Sequence, residues 1–207
     1  MYCLIGISGG CAAGVLAYNL FSHVRIRVMA WTEPWSCIDN EGYQIAQSLF
    51  AIGTGGWIGM GLGQGMPGNI PFVEKDSIFS AISEEMGGIF AICVILICMC
   101  IFLAFFNLAM KVKNKFYCYI AMGLGTMYAT QVLLTVGGVT KFIPLTGVTL
   151  PLVSYGGSSM LSTLMMLGII QGISLIIRDE ELEVERERNR LEREKRKRIK
   201  EKEKQKI

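Results

Sequence analysis

The sequence predicts an all-α integral membrane protein with four transmembrane helices and a large extracytoplasmic loop. Of its 207 residues, 52% are hydrophobic and only 18% are charged, against about 25% charged in an ordinary soluble domain. The mean hydropathy is +0.44. The charge is also unevenly placed, because 13 of the 20 Lys/Arg and 10 of the 17 Asp/Glu lie in residues 178–207. The remaining body is therefore apolar and nearly neutral.

Four stretches are long and apolar enough to cross a bilayer, which takes about 20 residues. They cover about 1–21, 77–110, 116–138 and 158–177. We therefore assign residues 1–177 to a membrane domain and residues 178–207 to a charged tail. Glu–Arg pairs four residues apart predict a helix in this tail, with disorder as the alternative.

The placement of lysine and arginine predicts the orientation of these spans. Lys111, Lys113 and Lys115 follow the second span, and the tail after the fourth is also basic. Basic residues favour the cytoplasmic side. We therefore expect the tail to be cytoplasmic and the loops 22–76 and 139–157 to face outward.

The sequence shows no evident cofactor site. Six of the seven cysteines fall in or beside the predicted spans, and there is one histidine, so no zinc-binding spacing exists. A divalent cation stays an open alternative. We expect the membrane, and no nucleic acid, as a partner.

The first outer loop contains a glycine-rich segment, "YQIAQSLFAIGTGGWIGMGLGQG", at residues 43–65. Its first part repeats Ile45, Leu49 and Ile52 at helical spacing, which predicts a short amphipathic helix on the membrane surface. The glycines could cradle phosphate, but they match neither phosphate-loop spacing. Tight packing or a re-entrant turn is the favoured interpretation.

The second outer loop, "FIPLTGVTLPLVSYGGSSM" at residues 142–160, ends where the fourth span begins. Ser154, Ser158 and Ser159 are candidate substrate-binding residues, because the N-terminus of a helix offers free N–H groups to an anion. The alternative for the serines is an N-cap and a packing face of small residues.

Carboxylates at the outer mouth of the second span are the strongest chemical signal. Asp76 is the candidate catalytic residue, with the N-cap of the following helix as its structural alternative. Glu84 and Glu85 lie about 12 Å deeper at 1.5 Å per residue. Ionisable residues at such depth usually face a polar cavity, but a buried structural hydrogen bond to another span is an equally supported explanation for this pair.

Three cations on the outer side complete the candidate site. Arg25 and Arg27 are candidate clamps for an anion, since arginine suits phosphate oxygens. Lys75 would favour the charged form of the neighbouring Asp76. The residues alone therefore indicate chemistry on a negatively charged molecule at the outer leaflet.

Several motifs in order resemble one family. They are the segment at 43–65, Pro71-xxxx-Asp76, "SEEMG" and "PLTGVTLPLVSYGGSS". Together with "RIRVMAWTEPW", they are similar to the RodA/FtsW/SpoVE group, the shape, elongation, division and sporulation (SEDS) proteins. The resemblance covers residues 25–177 and implies the last four spans of a ten-span protein of the bacterial inner membrane.

The resemblance implies a peptidoglycan glycosyltransferase that polymerises lipid II into glycan strands during cell elongation, division or sporulation. Asp76 matches the essential loop aspartate of the family and would act as general base on the acceptor sugar hydroxyl. Arg25 and Arg27 would hold the departing diphosphate. The family also implies a class B penicillin-binding transpeptidase as partner.

Two other functions stay open at the level of sequence. One is a flippase for the lipid-linked precursor, because the same acids and arginines could line a path for its headgroup. The other is a truncated, non-catalytic scaffold of the elongation or division machinery. The family's first six spans are not in this sequence, so a fragment, a split half and a degenerate copy are all consistent with it.

Overall fold

The computed structural model describes residues 9–10, 14–40 and 42–204, with side chains described as far as residue 195. All regular secondary structure in these residues is helical. Residues 14–20 are helical. They are followed by α1 (Ser22–Thr32), α2 (Tyr43–Gly55), a 3-10 turn (Pro67–Asn69), α3 (Ile78–Lys111), α4 (Lys115–Val139) and α5 (Gly157–Lys204).

Three of these helices, α3, α4 and α5, are long and apolar enough to cross a membrane. They coincide with the second, third and fourth predicted spans, which confirms an all-helical membrane protein for this part of the chain. Of the predicted first span, 1–21, residues 1–8 and 11–13 lie outside the described residues, and residues 9–10 and 14–20 are helical. The helix α5 continues past residue 177, the predicted end of the membrane domain, without interruption to Lys204.

The chain forms two compact units, and each has its own small core. One comprises the described residues of Met1–Phe102 together with Thr126–Thr163. Its core holds Phe79, Ala91 and Val139. The other comprises Leu103–Gly125 and the described residues of Leu164–Ile207. Its core holds Ala109, Ala121 and Ile173.

The glycine-rich segment forms backbone hydrogen bonds with α3 where that helix is interrupted. At Gly87 the backbone leaves the helical region, with φ 83° and ψ 169°. A break of this kind frees N–H and C=O groups that an intact helix would pair internally. Four backbone hydrogen bonds of 2.8–3.3 Å use the freed groups: Met60 N to Glu84 O, Gly61 N to Glu85 O, Gly88 N to Gly56 O and Ile89 N to Trp57 O.

The close approach of the two backbones explains why glycines are needed here. A Cβ atom on Gly59 would lie 2.6 Å from Gly87 N and would overlap Glu85 O. Gly59 also has φ +86°, a conformation that disfavours residues with a side chain. The structure thus agrees with the interpretation of these glycines as a tightly packed re-entrant turn.

The helix α2 differs from the expected surface helix. Ile45 and Ala46 are buried, and Ala51 and Gly55 are buried further along the same helix. One end of α2 contacts Ser83 through Gly55. Its apolar face therefore packs against the rest of the first unit, and not only against lipid.

The close packing at the break in α3 predicts that alanine substitutions at two glycines of the same segment change the free energy of unfolding in opposite directions. We expect Gly59→Ala to lower the free energy of unfolding by at least about 2 kcal/mol, because it adds positive-φ strain and backbone overlap. Gly53→Ala is the matched control. Gly53 lies inside α2 with open space where its Cβ would be, so alanine should stabilise by about 0.5–1 kcal/mol.

Thermal melts followed by circular dichroism in detergent would measure both substitutions. Equal melting temperatures for Gly59→Ala and the parent chain would contradict the close packing of the loop on α3.

Candidate active site

Asp76 lies immediately before α3 and is held there by a glutamine from α2. The helix begins at Ile78, so the N-cap position belongs to Ser77 and not to Asp76. The Asp76 side chain is only 8% exposed. Gln44 Nε2 donates to Asp76 Oδ1 at 3.1 Å and to Ser77 Oγ at 3.0 Å. One amide group thus fixes both residues at the entrance to the helix.

One face of α1 and the second outer loop complete a cleft over Asp76. Its volume is about 360 Å³. The helix α1 contributes residues at i, i+3, i+4 and i+7, the spacing of a single helical face. The cleft is lined by His23, Ile26, Arg27, Ala30, Gln44, Ile45, Asp76, Leu145 and Gly147.

Two side chains one helical turn apart attach α1 to the second outer loop. Arg27 Nη1 donates to the backbone oxygen of Thr146 at 3.3 Å, with Leu145 O at 3.5 Å. Trp31 Nε1 donates to Lys141 O at 3.0 Å. These bonds hold the Arg27 guanidinium at the rim of the cleft.

The surroundings of Asp76 favour its neutral form more than water would. Burial raises the pKa of its carboxyl group above the usual value of 3.8. Smaller effects oppose this rise: hydrogen bonds from its own backbone and from Gln44, then the positive charges of Lys75 and Arg27. The net result is a carboxylate with a raised pKa, and so a stronger base than a solvated aspartate.

The two expected arginine clamps point in different directions. Residues two apart on a helix do not share a face. Arg25 lies over the ring of Tyr18, with 5.7 Å between its guanidinium carbon and the ring centroid, whereas Arg27 lines the cleft. The structure therefore brings Arg27, but not Arg25, to Asp76.

Lys75 is exposed beside the site. Its ammonium lies 5.5 Å from the ring centroid of Phe72, a cation–π distance. Phe72 has φ 54°. The charge of Lys75 still acts on Asp76 and lowers its pKa, as the sequence predicts.

Glu84 and Glu85 hold the glycine-rich loop and do not line the cleft. Glu84 Oε1 accepts a hydrogen bond from Met66 N at 3.3 Å, and Glu85 Oε1 accepts one from Gly63 N at 3.1 Å. Both carboxylates therefore make structural hydrogen bonds, but not with the partner that the structural alternative predicts. Their partners belong to the loop and not to another span.

The three candidate serines have separate surroundings. Ser154 is buried, and its Oγ accepts from Leu150 N at 2.8 Å within a turn. Ser159 Oγ accepts from Gln131 Nε2 at 3.1 Å and lies 2.8 Å from Thr149 Oγ1. Ser158 and Ser159 line a second, open cleft of about 430 Å³. Gly147 borders both clefts, so the two serines lie near the Asp76 cleft but not in it.

Reasoning from sequence did not identify His23 or Gln44 as site residues. The signal for His23 was its place four residues before Arg27, which puts both on one face of a helix. Gln44 gave no such signal, because its contact with Asp76 joins residues 32 positions apart. In the part of the chain that the structure describes, no three metal-ligating side chains come together.

The architecture and the site define a helical membrane protein with a buried carboxylate and a cation at the mouth of a span. Comparison with known proteins identifies the class. The family model for FtsW, RodA and SpoVE, described as "cell cycle protein", matches residues 2–178. The chain belongs to this family, as the sequence motifs indicate.

Curated relatives come from all three branches of the family. Peptidoglycan glycosyltransferase RodA of Mycobacterium tuberculosis (strain ATCC 25618 / H37Rv) is 40% identical over 83% of this chain and 36% of its own length. Stage V sporulation protein E of Bacillus subtilis is 37% identical over 83% of this chain and 46% of its own length. A probable peptidoglycan glycosyltransferase FtsW of Saccharophagus degradans is 34% identical over 88% and 48%.

A solved structure also resembles this fold. One chain of a structure described as "Structural coordination of polymerization and crosslinking by a peptidoglycan synthase complex" aligns with a TM-score of 0.66 and 28% identity. The alignment covers 86% of this chain and 49% of that one. The chain therefore spans about half, or less, of the length of these similar proteins.

The raised pKa of Asp76 predicts a stability that depends on pH. Between the unfolded value of 3.8 and the higher folded value, the native state binds more protons than the unfolded chain. Stability should therefore fall as pH rises through this window, and the loss is complete above the folded pKa.

Asp76→Asn should remove that loss while its side-chain oxygen still accepts from Gln44. We expect its melting temperature to exceed that of the parent chain at pH 8, by a margin that shrinks as the pH is lowered. Glu74→Gln, at an exposed carboxylate, controls for the lost charge. A variant that melts below the parent at every pH would show that burial of Asp76 carries no such penalty.

Proposed function

We propose that this chain forms the C-terminal part of a peptidoglycan glycosyltransferase that polymerises lipid II at the outer face of the bacterial inner membrane. The observation that carries the proposal is Asp76, a buried carboxylate with a raised pKa, in a cleft that also contains the Arg27 guanidinium. The names of the relatives from Mycobacterium and Saccharophagus support the same activity.

Asp76 acts as the general base in this mechanism. The 4-hydroxyl oxygen of the acceptor sugar attacks the anomeric carbon of the donor, and Asp76 takes the hydroxyl proton. The bond between the anomeric carbon and the diphosphate oxygen breaks as the new glycosidic bond forms, and undecaprenyl diphosphate leaves. A base whose pKa is raised towards the working pH combines the correct charge state with proton affinity.

Arg27 balances the charge that develops on the departing diphosphate. Its fork of N–H groups suits phosphate oxygens, and its bonds to the carbonyls of the second outer loop keep it at the cleft. Arg25 faces elsewhere, so the proposal assigns the diphosphate to Arg27 alone.

The complete enzyme requires more than these residues. The relatives are about two to three times longer than the part this chain matches, and we assign the remaining walls of the substrate cavity to that part. The loops 22–76 and 139–157 face outward and the tail beyond residue 177 is cytoplasmic. The partner is a class B penicillin-binding transpeptidase, which the similarity to a peptidoglycan synthase complex supports.

The first functional prediction concerns Asp76. We expect Asp76→Asn to lower glycan polymerisation by about 10²–10⁴-fold, the usual contribution of a general base. Glu74→Gln, two residues away and exposed, should leave the rate within about twofold of the parent. The measurement is gel analysis of polymer from labelled lipid II, with the chain co-expressed with the N-terminal half of a family member.

Reconstitution of the same proteins in lipid vesicles distinguishes the alternatives to a polymerase. Transport of lipid II between leaflets that is abolished by Asp76→Asn, with no polymer from the parent, would indicate a flippase. If the parent chain shows neither polymer nor transport, the result would indicate a non-catalytic scaffold. Polymerisation that survives in Asp76→Asn would remove Asp76 from the mechanism.

The second functional prediction uses the opposed arginines of α1. Arg27→Gln should lower kcat/KM by about tenfold or more, since a charge-assisted hydrogen bond contributes about 1.5–3 kcal/mol. Arg25→Gln removes the same charge from the same helix but from outside the cleft, so we expect less than about a twofold change. Equal losses in the two variants would mean that α1 acts only through its overall positive charge.

A further inference from the structure

The first outer loop is unusually apolar for a segment outside a span. The sequence has no charged residue between Glu41 and Glu74. Within this stretch, four large apolar side chains are 70–86% exposed: Trp57, Ile58, Leu62 and Met66. Contiguous exposed apolar side chains mark an interaction surface. We call residues 57–66 the apolar loop.

The hydrogen bonds at the break in α3 fix the position of the apolar loop along this helix, and so its depth relative to the bilayer. From Gly88 to Met110 the helix α3 has no charged residue. These 23 residues rise about 34 Å, close to the hydrocarbon thickness of about 30 Å. Gly88 and Ile89 are the residues bonded to Gly56 and Trp57, so the apolar loop lies at the outer edge of this stretch.

Six of the ten backbone N–H groups of the apolar loop have hydrogen-bond partners within the protein. Backbone groups in a bilayer must find partners within the protein. Besides the four backbone hydrogen bonds at the break in α3, Gly59 N donates to Gly55 O and Gln64 N donates to Gly61 O. The carboxylates of Glu85 and Glu84 accept from Gly63 N and Met66 N. This arrangement gives the two glutamates a function: they pair N–H groups that lipid cannot.

We propose that the apolar loop inserts into the outer leaflet and binds the lipid surface at the boundary between headgroups and acyl chains. Tryptophan is favoured at that boundary, and exposed Ile89 of α3 continues the same apolar surface. A lipid is favoured over a protein partner because residues 57–66 themselves carry no charge and the two neighbouring carboxylates are bonded to the loop backbone, whereas protein interfaces have a polar rim. The proposal does not depend on the reaction assigned to Asp76.

The test is quenching of Trp57 fluorescence by brominated lipid. The chain is reconstituted in phosphatidylcholine vesicles whose acyl chains are brominated near the headgroup, and in the same vesicles without bromine. The Trp57 signal is the difference between the parent and Trp57→Phe. We expect bromination to reduce it at least about twofold, with little quenching by aqueous acrylamide.

Trp35 provides the matched control. It is also exposed on the outer side, but its turn is flanked by Glu33 and Asp39, so the signal lost in Trp35→Phe should respond to acrylamide. Circular dichroism establishes that each variant is folded. Quenching of Trp57 by acrylamide alone would place the loop in water and overturn the proposal. Protection from both quenchers would mean that protein covers the loop, and would overturn it equally.

Discussion

Four backbone hydrogen bonds between the glycine-rich segment and the break in α3 are the constraint on which the rest of this unit depends. They join the far end of α2 to α3 near Gly87. At the near end of α2, Gln44 bonds to Asp76 and Ser77. The helix α2 and the first part of α3 therefore run side by side in the same direction, with hydrogen bonds between them at both ends. A side chain at Gly59 would displace α2 and, with it, the amide group that orients Asp76.

The reactivity of Asp76 depends on a balance between burial and a few polar contacts. Burial raises the pKa of the carboxyl group, and a base that is already protonated at the working pH cannot accept a proton. The Gln44 amide and the charges of Lys75 and Arg27 act against this tendency. Because Gln44 is attached to α2 and Arg27 to α1, the basicity of one residue reflects the packing of both helices. The penalty for holding this carboxylate away from water is a stability cost at the proposed active site.

Sequence patterns predict the local features of this chain well and its long-range contacts poorly. The three described spans follow from composition, and the proposal for Asp76 follows from a motif, because both are local properties. The separation of Arg25 from Arg27 also follows from helical geometry once α1 is known to be a helix. Gln44 and the binding of Glu84 and Glu85 to the loop could not be predicted in this way, because no spacing rule specifies which distant backbone will approach. The uninterrupted α5 arises because its charged second half also favours a helix.

The break at Gly87 also relates the site to the membrane surface. From Ile78 to the break, the helix rises about 14 Å, and the uncharged stretch of α3 begins at the next residue. With the apolar loop at the bilayer boundary, Asp76 would lie about that distance along the chain outside the hydrocarbon edge. In the proposed reaction, the lipid tail of the substrate would remain below this edge and its diphosphate would lie among the headgroups. The first sugar would then stand further out, at the level of Asp76. An apolar loop that holds the break at the bilayer boundary would therefore set the height at which the carboxylate meets its substrate.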